Sequence, residues 1–278
     1  MAAGMLLNVR HETRYDYDGD ASQFVQLIRL TPRSHAGHKV LEWRVSRSVG
    51  GALQIFTDGL GNITHVASDR DALDGVTIVG EGRVQTEPTD GVVADGFEPL
   101  PPPYFLRETA LTVRSEAIEA FARKATGWAR DRAALTALMM ALHERIGHEP
   151  GETYTDTAAA SAFSAGAGAG QDHAHIFLTA ARLIGAPARY VGGYVWPGEA
   201  AEAGERPFAS HAWAEAWVEG TGWIGFDSAN GVVAGPGHVR VATGLDYRQA
   251  APVLGRWRGA AEEAMHVDGT IQATESNQ

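Results

Sequence analysis

The sequence predicts an α+β protein with two domains, a strand-rich one followed by one that mixes helices and strands. In the first hundred residues, short segments alternate apolar and polar side chains, which is the period of a half-buried strand. A proline-rich stretch at residues 99–103 then marks a shift in composition. After it, alanine- and leucine-rich segments carry apolar residues at helical spacing. The 278 residues are enough for two domains of ordinary size.

Residues 1–105 are predicted to form an antiparallel β-sandwich of the immunoglobulin-like kind. Turn signals such as Asp58-Gly59 and Gly61-Asn62 separate the predicted strands, and short strands at this spacing are typical of a sandwich. Pro99–Pro103 is expected to be a stiff, extended linker to the second domain. The predicted strands are Leu7–Tyr17, Gln23–Leu30, Val40–Val49, Thr64–Ser68, Val76–Val79 and Gly82–Thr86.

Residues 106–278 are predicted to form the second domain, which contains helices and an antiparallel sheet. Its third helix is expected to stop at Gly185 and Pro187, since both residue types end helices. The alternating alanines and glycines of residues 165–170 are expected to be irregular. The predicted helices are Ser115–Lys124, Arg132–Arg145 and Gln171–Ile184, and the predicted strands are Ala188–Trp196, His211–Glu219 and Trp223–Asp227.

Charge and hydropathy exclude two classes of partner. The chain has 23 Lys and Arg against 34 Asp and Glu, a formal net charge of −11. Binding to a nucleic-acid backbone needs a basic face, so no nucleic-acid partner is expected. No apolar run approaches the length of about 18 residues that a spanning helix needs, and the N-terminus lacks a secretory signal pattern. We therefore expect a soluble, cytoplasmic protein without a membrane partner.

Cysteine is absent from the chain, which constrains its chemistry most. Disulfides, thiolate metal sites and a thiol nucleophile are all excluded.

The glycines at 166, 168 and 170 precede a predicted helix, as in a phosphate-binding loop. Their spacing is GxGxG rather than GxGxxG, and no strand is predicted before them. Asp172 would also place a negative charge in the first helical turn, where a phosphate would sit. The pattern therefore favours a close backbone approach over nucleotide binding, with Asp172 capping the helix start.

His173 and His175 form an HxH pair that would suit a metal ion if it lay on a strand. On the predicted helix, positions i and i+2 point about 200° apart, which disfavours a joint site. One of the two histidines is expected to be buried and the other to line a cleft. A zinc site that joins one of them to His211 and a carboxylate stays open as an alternative, but no metal or cofactor is expected.

The two last predicted strands bring a histidine and an aspartate onto one face. In the first, His211, Trp213, Glu215 and Trp217 alternate onto the same side. A three-residue turn at 220 would place Asp227 opposite Trp213, and therefore diagonal to His211. A histidine held by a carboxylate forms the base and its orienting group in a catalytic triad. A purely structural pair in a tryptophan-rich sheet would show the same pattern.

Several segments together resemble the transglutaminase-like superfamily, which has a papain-like fold, and in particular its bacterial branch with an N-terminal β-sandwich. The family's nucleophile motif is a glycine-rich stretch followed by Cys-Gln-Asp-His-Ala-His, and residues 168–175 read Gly-Ala-Gly-Gln-Asp-His-Ala-His. The family's histidine and aspartate strands resemble residues 211–217 and 222–227. Further matches lie at residues 187–194, 239–242 and 246–248, and at 11–13, 30–33 and 61–62 in the N-terminal half.

The resemblance implies a thiol-dependent amide chemistry, closer to protease-like hydrolysis than to protein crosslinking. In such a site a cysteine at a helix N-terminus is activated by a histidine, which an aspartate orients. This implies that His211 is the base, Asp227 its orienting group and Gly170 the nucleophile position. Gln171, Asp172, His173 and Trp213 are expected to contact substrate. Glycine has no side chain, so no acyl-enzyme can form at position 170.

No other residue is expected to replace the missing thiol. Ser164 lies six residues back, Ser210 lies on the opposite face of its strand from His211, and a hydroxyl has a far higher pKa than a thiol. Either the glycine is natural and the protein is a pseudoenzyme, or the position was altered by mutagenesis.

Three functions stay open from the sequence. The first is a silent transglutaminase-like protein whose cleft binds a peptide, a small amide or a partner protein. The second is an active amide hydrolase that uses a water activated by His211, or by a metal among His173, His175, His211 and Asp227. The third is a structural role carried by the sandwich.

Overall fold

The structure, a computed structural model, describes residues 4–94, 97–149, 155–198 and 210–274. Its strands are β1 (Met5–Asp18), β2 (Ala21–Thr31), β3 (His38–Arg47), β4 (Gln54–Thr57), β5 (Ile63–Asp69), β6 (Gly75–Thr86), β7 (Val92–Val93), β8 (Gly147–His148), β9 (Ala167–Gly168), β10 (Ala188–Val195), β11 (Ser210–Val218), β12 (Gly222–Asp227), β13 (Val232–Val233), β14 (His238–Gly244), β15 (Val253–Gly259) and β16 (Glu262–Thr274). Its helices are α1 (Glu116–Thr126), α2 (Arg132–Arg145), α3 (Ala159–Ala165) and α4 (Gly170–Leu183), with a 3₁₀ helix at Pro102–Leu106 and a short helical turn at Tyr247–Ala250.

The first six strands and the last two form two four-stranded antiparallel sheets, in the orders β16-β1-β6-β3 and β15-β2-β5-β4. Alternate side chains of β1 are buried from Leu7 to Tyr17, as the strand period requires. The two sheets enclose one apolar cluster that includes Tyr15, Phe24, Ile28 and Ile78. The predicted α+β class with an N-terminal sandwich is therefore confirmed.

The C-terminal strands complete this sandwich. Strand β15 pairs with β2, with Val253 opposite Ile28, and β16 pairs with β1, with Val267 opposite Thr13. By their pairing, residues 253–274 belong to the sandwich, whereas the sequence analysis grouped them with residues 106–252 in the second domain. The physical reason is that β1 and β2 would otherwise each present an unpaired edge.

Four local predictions differ from the structure. Strand β6 is continuous where two strands were predicted, because Gly82 lets the backbone of Glu42 approach where a Cβ would clash. Strand β4 was not predicted, and its four side chains are all exposed. The proline stretch is not an extended linker throughout: Pro102 begins the 3₁₀ helix, which buries Phe105. Residues 165–170 contain the end of α3, β9 and the start of α4.

The second structural unit packs helix α4 on an antiparallel sheet in the order β13-β12-β11-β10-β14, with β7 paired to β12. Helix α4 is buried on nearly all sides, and its Phe177 stacks on Phe226 of β12 at 5.2 Å. Helices α1, α2 and α3 surround it, so its polar side chains lie inside the domain together with its apolar ones. Among the described residues, no helix is long and apolar enough to cross a membrane.

Arg182 in the last turn of α4 ties this helix to three other segments. Its Nε donates to the carbonyl oxygens of Phe105 and Ala188, at 3.0 and 3.1 Å. Its Nη1 donates to Thr112 Oγ1 at 2.8 Å, and its Nη2 to the carbonyl oxygens of Ala188 and Leu245, at 2.8 and 2.7 Å. Burial lowers the pKa of Arg182 to about 10. The side chain stays charged near neutral pH and donates to the carbonyl oxygens of buried residues.

We expect Arg182→Met to lower the free energy of unfolding by about 3–5 kcal/mol, because it leaves several buried acceptors without a donor. Arg130→Met is the matched control, since Arg130 is exposed and donates one bond of 3.2 Å to Gly185. Urea denaturation of both variants measures the difference. A loss below about 1 kcal/mol for Arg182→Met would show that the network contributes little.

His175 anchors α4 to the segment after β14. The ring is buried, its Nε2 accepts the backbone N–H of Tyr247 at 3.1 Å, and its centre lies 5.1 Å from the ring of Tyr190. Burial lowers the pKa of His175 to about 4, with a smaller contribution from Arg182 and an opposing one from Asp246. His175 is therefore neutral in the folded protein near pH 7.

Acid should destabilise the fold through His175. Its pKa is about 6.5 in the unfolded chain and about 4 in the folded one, so the unfolded state binds more protons between these values. The unfolding free energy should therefore decrease as pH falls from about 6.5 to about 4, by roughly 2 kcal/mol between pH 7 and pH 5. His175→Gln should remove that part of the decrease, measured by urea denaturation, whereas the exposed control His266→Gln should not. Equal pH slopes for wild type and His175→Gln would refute the assignment.

Candidate active site

The N-terminus of α4 points its first residue, Gly170, at the start of β11. The helix start is held by Asp172, whose Oδ2 accepts the backbone N–H of Ala169 at 2.8 Å. This confirms the predicted role of Asp172 in favouring the helix start. Since Asp172 is buried, its carboxylate serves the backbone and does not line the open space beyond Gly170.

The ring of His211 faces position 170 directly. A Cβ built on Gly170 would lie 2.9 Å from His211 Nδ1 and 3.0 Å from its Cε1. A side chain at position 170 would therefore contact the nitrogen that a nucleophile needs as its base. The imidazole occupies part of that space, so a residue larger than glycine at 170 requires the ring or the helix start to shift.

The β11–β12 hairpin brings His211 and Asp227 together. Its register pairs Ala214 with Phe226 and Trp217 with Trp223, which is the register predicted from the turn at 220. His211 Nε2 lies 2.8 Å from Asp227 Oδ2. The predicted histidine–carboxylate pair is therefore formed, with Nε2 on the carboxylate and Nδ1 toward position 170.

Two residues that the sequence analysis missed also bind Asp227. Asn230 Nδ2 donates to Asp227 Oδ2 at 2.7 Å, and the backbone N–H of Asn230 donates to Oδ1 at 3.1 Å. His238, at the start of β14, places its Nε2 3.1 Å from Asp227 Oδ2. The nearness of Asn230 to Asp227 in the chain was an available signal, whereas no local pattern links His238 to either residue.

The hydrogen bonds assign the protons of this cluster. His238 Nδ1 accepts the backbone N–H of Gly235 at 3.1 Å, so the proton of a neutral His238 lies on Nε2 and is donated to Asp227. Burial opposes ionisation of Asp227, but hydrogen bonds from His211 and His238 outweigh it and hold its pKa well below the usual range. The ionised carboxylate in turn keeps a proton on His211 Nε2. The lone pair of a neutral His211 is thereby left on Nδ1, facing position 170.

The indole of Trp213 packs against the rings of both His211 and His238. It stacks against His211 at 6.3 Å and meets His238 edge-on at 5.2 Å. The side chain is buried, and a Cβ at Gly193 or Gly225 would contact it. Trp213 thus packs behind His211 and does not line the cleft in front of it, where substrate contact was expected.

A cleft of about 540 Å³ opens in front of Gly170 and His211, between the sandwich and the second structural unit. Gln171 lines it, in agreement with its predicted position, whereas the rings of His173 and His175 are buried in the core. Its polar side chains come from both units. They are His11 and Arg29 of the sandwich, with Gln171, Tyr190, Tyr194, Ser210, His211 and Tyr247.

The alternatives to thiol chemistry find little support in these positions. Among the described residues, no three His, Asp or Glu side chains are arranged to hold a metal ion. For the zinc alternative, His173 and His175 are both buried, and His175 Nε2 accepts the backbone N–H of Tyr247. Ser164 Oγ is exposed and donates to the carbonyl of Ala160 at 2.8 Å, whereas Ser210 does line the cleft beside His211.

Comparison with known proteins matches both structural units. Residues 119–228 match the model of the transglutaminase-like superfamily core, and residues 7–85 match the bacterial transglutaminase-like N-terminal region. An uncharacterized protein of Mycobacterium leprae (strain TN) is 27% identical over 282 residues, which covers 96% of this chain and 98% of that protein.

A solved structure shows the same fold. A crystal structure of a candidate cysteine protease from Cytophaga hutchinsonii aligns with a TM-score of 0.73 at 20% identity, covering 99% of this chain and 93% of that one. The periplasmic domain of TgpA from Pseudomonas aeruginosa aligns with a TM-score of 0.38 at 16% identity, covering 79% and 87%. The two family matches together cover most of the chain and show that it belongs to the transglutaminase-like superfamily, with the N-terminal region of its bacterial members.

Proposed function

We propose that this protein binds peptides or other amides in the cleft before His211 and does not turn them over by thiol chemistry. The observation that carries the proposal is the geometry at Gly170. His211 is hydrogen-bonded to Asp227 and its Nδ1 faces position 170, but the glycine at that position has no side chain. The chain contains no cysteine elsewhere that a movement could bring in.

The missing nucleophile removes the step on which the family's amide chemistry depends. An acyl-enzyme forms when a sulfur attacks the amide carbonyl and the histidine protonates the leaving amine. Without that sulfur no covalent intermediate can form at Gly170. Loss of the nucleophile from a catalytic triad costs about 10⁶ in turnover, so binding without appreciable turnover is the expected outcome.

The cleft offers groups that suit an amide. Burial raises the pKa of Tyr190 and of Tyr194 well above the usual range, so both hydroxyls stay neutral and can donate. Gln171 and Ser210 add further donors and acceptors, and His211 Nδ1 adds an acceptor. Polar groups set in a wall with more apolar than polar surface are typical of a small-ligand or peptide site.

A second candidate function follows from the lone pair on His211 Nδ1. A water placed beside position 170 could give its proton to Nδ1 while its oxygen attacks an amide carbonyl. The same proton would then pass from Nδ1 to the leaving amine as the carbon–nitrogen bond breaks. The reaction would leave a carboxylic acid and an amine and would form no enzyme-bound intermediate.

Restoring the thiol tests whether position 170 is still a nucleophile site. In Gly170→Cys, the helix N-terminus and a proton acceptor at Nδ1 should lower the pKa of the thiol well below its reference of about 8.5. The rate of iodoacetamide alkylation against pH measures that pKa. Adding His211→Ala should return it toward the reference value.

Gly51→Cys provides the matched control for this experiment, because Gly51 is exposed and a Cβ there would meet nothing within 4 Å. Its thiol should titrate near the reference value. An ordinary thiol at position 170, unaffected by His211→Ala, would show that the two positions do not cooperate in solution and would remove the support for the proposal.

Binding and turnover are separated by blocking the cleft. Gly192 lines the cleft, and a Cβ there makes ordinary contacts at 3.5 Å or more. Gly192→Leu should therefore fold and fill part of the cleft. Immobilised wild-type protein and the exposed control Gly51→Leu should retain peptides from a tryptic digest of casein, and Gly192→Leu should retain about tenfold fewer.

Release of amino groups from dimethylated casein gives the turnover of the same proteins. We expect wild type to match His211→Ala at the level of the buffer blank. If wild type released amino groups and His211→Ala did not, the result would favour the water-dependent hydrolase instead. Equal peptide retention by wild type and Gly192→Leu would contradict binding in this cleft.

A further inference from the structure

The cleft has an uneven charge. Among its described lining residues, Arg29 of β2 is the one side chain with a permanent charge, and no Asp or Glu is among them. His11, the neighbouring polar residue from the sandwich, is neutral near pH 7 because burial lowers its pKa to about 4. A guanidinium in a cleft whose described lining has no carboxylate offers a binding group to an anionic part of a ligand.

The guanidinium of Arg29 has N–H groups that donate no hydrogen bond within the described residues. Its side chain is only 10% exposed, and its Nε lies 3.1 Å from Asp58 Oδ2. Nη1 is buried without a hydrogen-bond partner, and within the described residues neither Nη1 nor Nη2 donates a hydrogen bond. By contrast, the buried Arg182 donates through Nε, Nη1 and Nη2. A nearly buried guanidinium with unused donors is costly unless a ligand completes it.

Asp58 holds Arg29 in place without facing the cleft. Its Oδ1 accepts the backbone N–H groups of Leu60 and Asn62, both at 2.9 Å, and its Oδ2 accepts Asn62 Nδ2 at 3.1 Å. The carboxylate is thus engaged in its own turn and is not among the cleft-lining residues. The ion pair at Nε fixes the guanidinium, and since Nη1 is buried, Nη2 is the terminal nitrogen left for an acceptor in the cleft.

We infer that the cleft takes acidic peptides, with Arg29 binding a carboxylate of the ligand. This inference rests on the proposed function, since it names the class of amide ligand that the cleft selects. A carboxylate accepts charge-assisted hydrogen bonds from a guanidinium, which are stronger than bonds between neutral groups. Its source is either an acidic side chain or the C-terminal carboxylate of a peptide, and both present the same group.

Three pentapeptides distinguish the sources. They are Ac-Ala-Ala-Gln-Ala-Ala-NH2, which has no carboxylate, its Glu counterpart with an amidated C-terminus, and the Gln peptide with a free C-terminus. Isothermal titration calorimetry with the full chain gives each Kd. We expect one or both carboxylate peptides to bind about ten- to a hundredfold more tightly than the neutral peptide. The tighter of the two identifies the source of the carboxylate.

Substitution of Arg29 assigns the preference to this residue. Arg29→Gln should bind all three peptides with the affinity of the neutral one, because it removes the charge and keeps a polar side chain. Arg29→Lys should keep part of the preference for carboxylate peptides, since it retains the positive charge but replaces the planar guanidinium with an ammonium group. Arg44→Gln is the control, an exposed arginine of β3 that pairs with Glu81, and it should behave as wild type.

Each outcome decides the inference. If wild type bound the Gln amide, the Glu amide and the Gln peptide with a free C-terminus equally tightly, the inference would be wrong. If Gly192→Leu then abolished binding of all three, the proposed function would still stand. A carboxylate preference that survives in Arg29→Gln would overturn the assignment to Arg29, and no binding of any peptide to wild type would overturn the proposed function as well. Should Arg29→Gln fail to fold, the wild-type comparison and Arg29→Lys decide.

Discussion

One buried carboxylate, that of Asp227, orders the whole site. It accepts hydrogen bonds from His211, His238 and both the side chain and the backbone of Asn230, and so ties together β11, the segment after β12 and β14. A buried charge without such partners would be too costly to keep. The ionised state of Asp227 then fixes the tautomer of His211, and that tautomer decides which nitrogen faces Gly170. The chemistry available in the cleft therefore depends on a group that does not line it.

The cleft joins two structural units with different tasks. Helix α4 and the sheet behind it hold His211 in a rigid, buried setting, where Trp213 packs against the ring. The sandwich contributes His11 and Arg29 to the opposite wall. On the two proposals made above, the second unit holds the residues at the family's reaction centre and the sandwich supplies the charge that selects a ligand. Binding to the wall from the sandwich would not require a nucleophile.

Local sequence patterns predicted the parts of the site that lie close in the chain. The hairpin register that joins His211 to Asp227 follows from one turn, and position 170 follows from the motif at the helix start. His238 escaped prediction because its contact with Asp227 depends on where β14 runs in the folded sheet. The buried positions of Asp172 and His173 also escaped, since α4 is buried on nearly all sides and has no polar face to orient it. Strand β16 has mostly exposed side chains over its first half, so it lacks the apolar alternation of a half-buried strand.

The return of the chain to its first strands has a consequence for biosynthesis. Pairing of β1 with β16 joins Thr13 to Val267, across more than nine-tenths of the sequence. Loops of this length close late, because the entropy lost on bringing their ends together must be met before the pairing contributes. During translation, the second structural unit can therefore form before β15 and β16 are made. At that stage β1 and β2 each have one unpaired edge. A nascent chain that stalls before residue 253 would present two open strand edges, which are the surfaces that invite pairing with another chain.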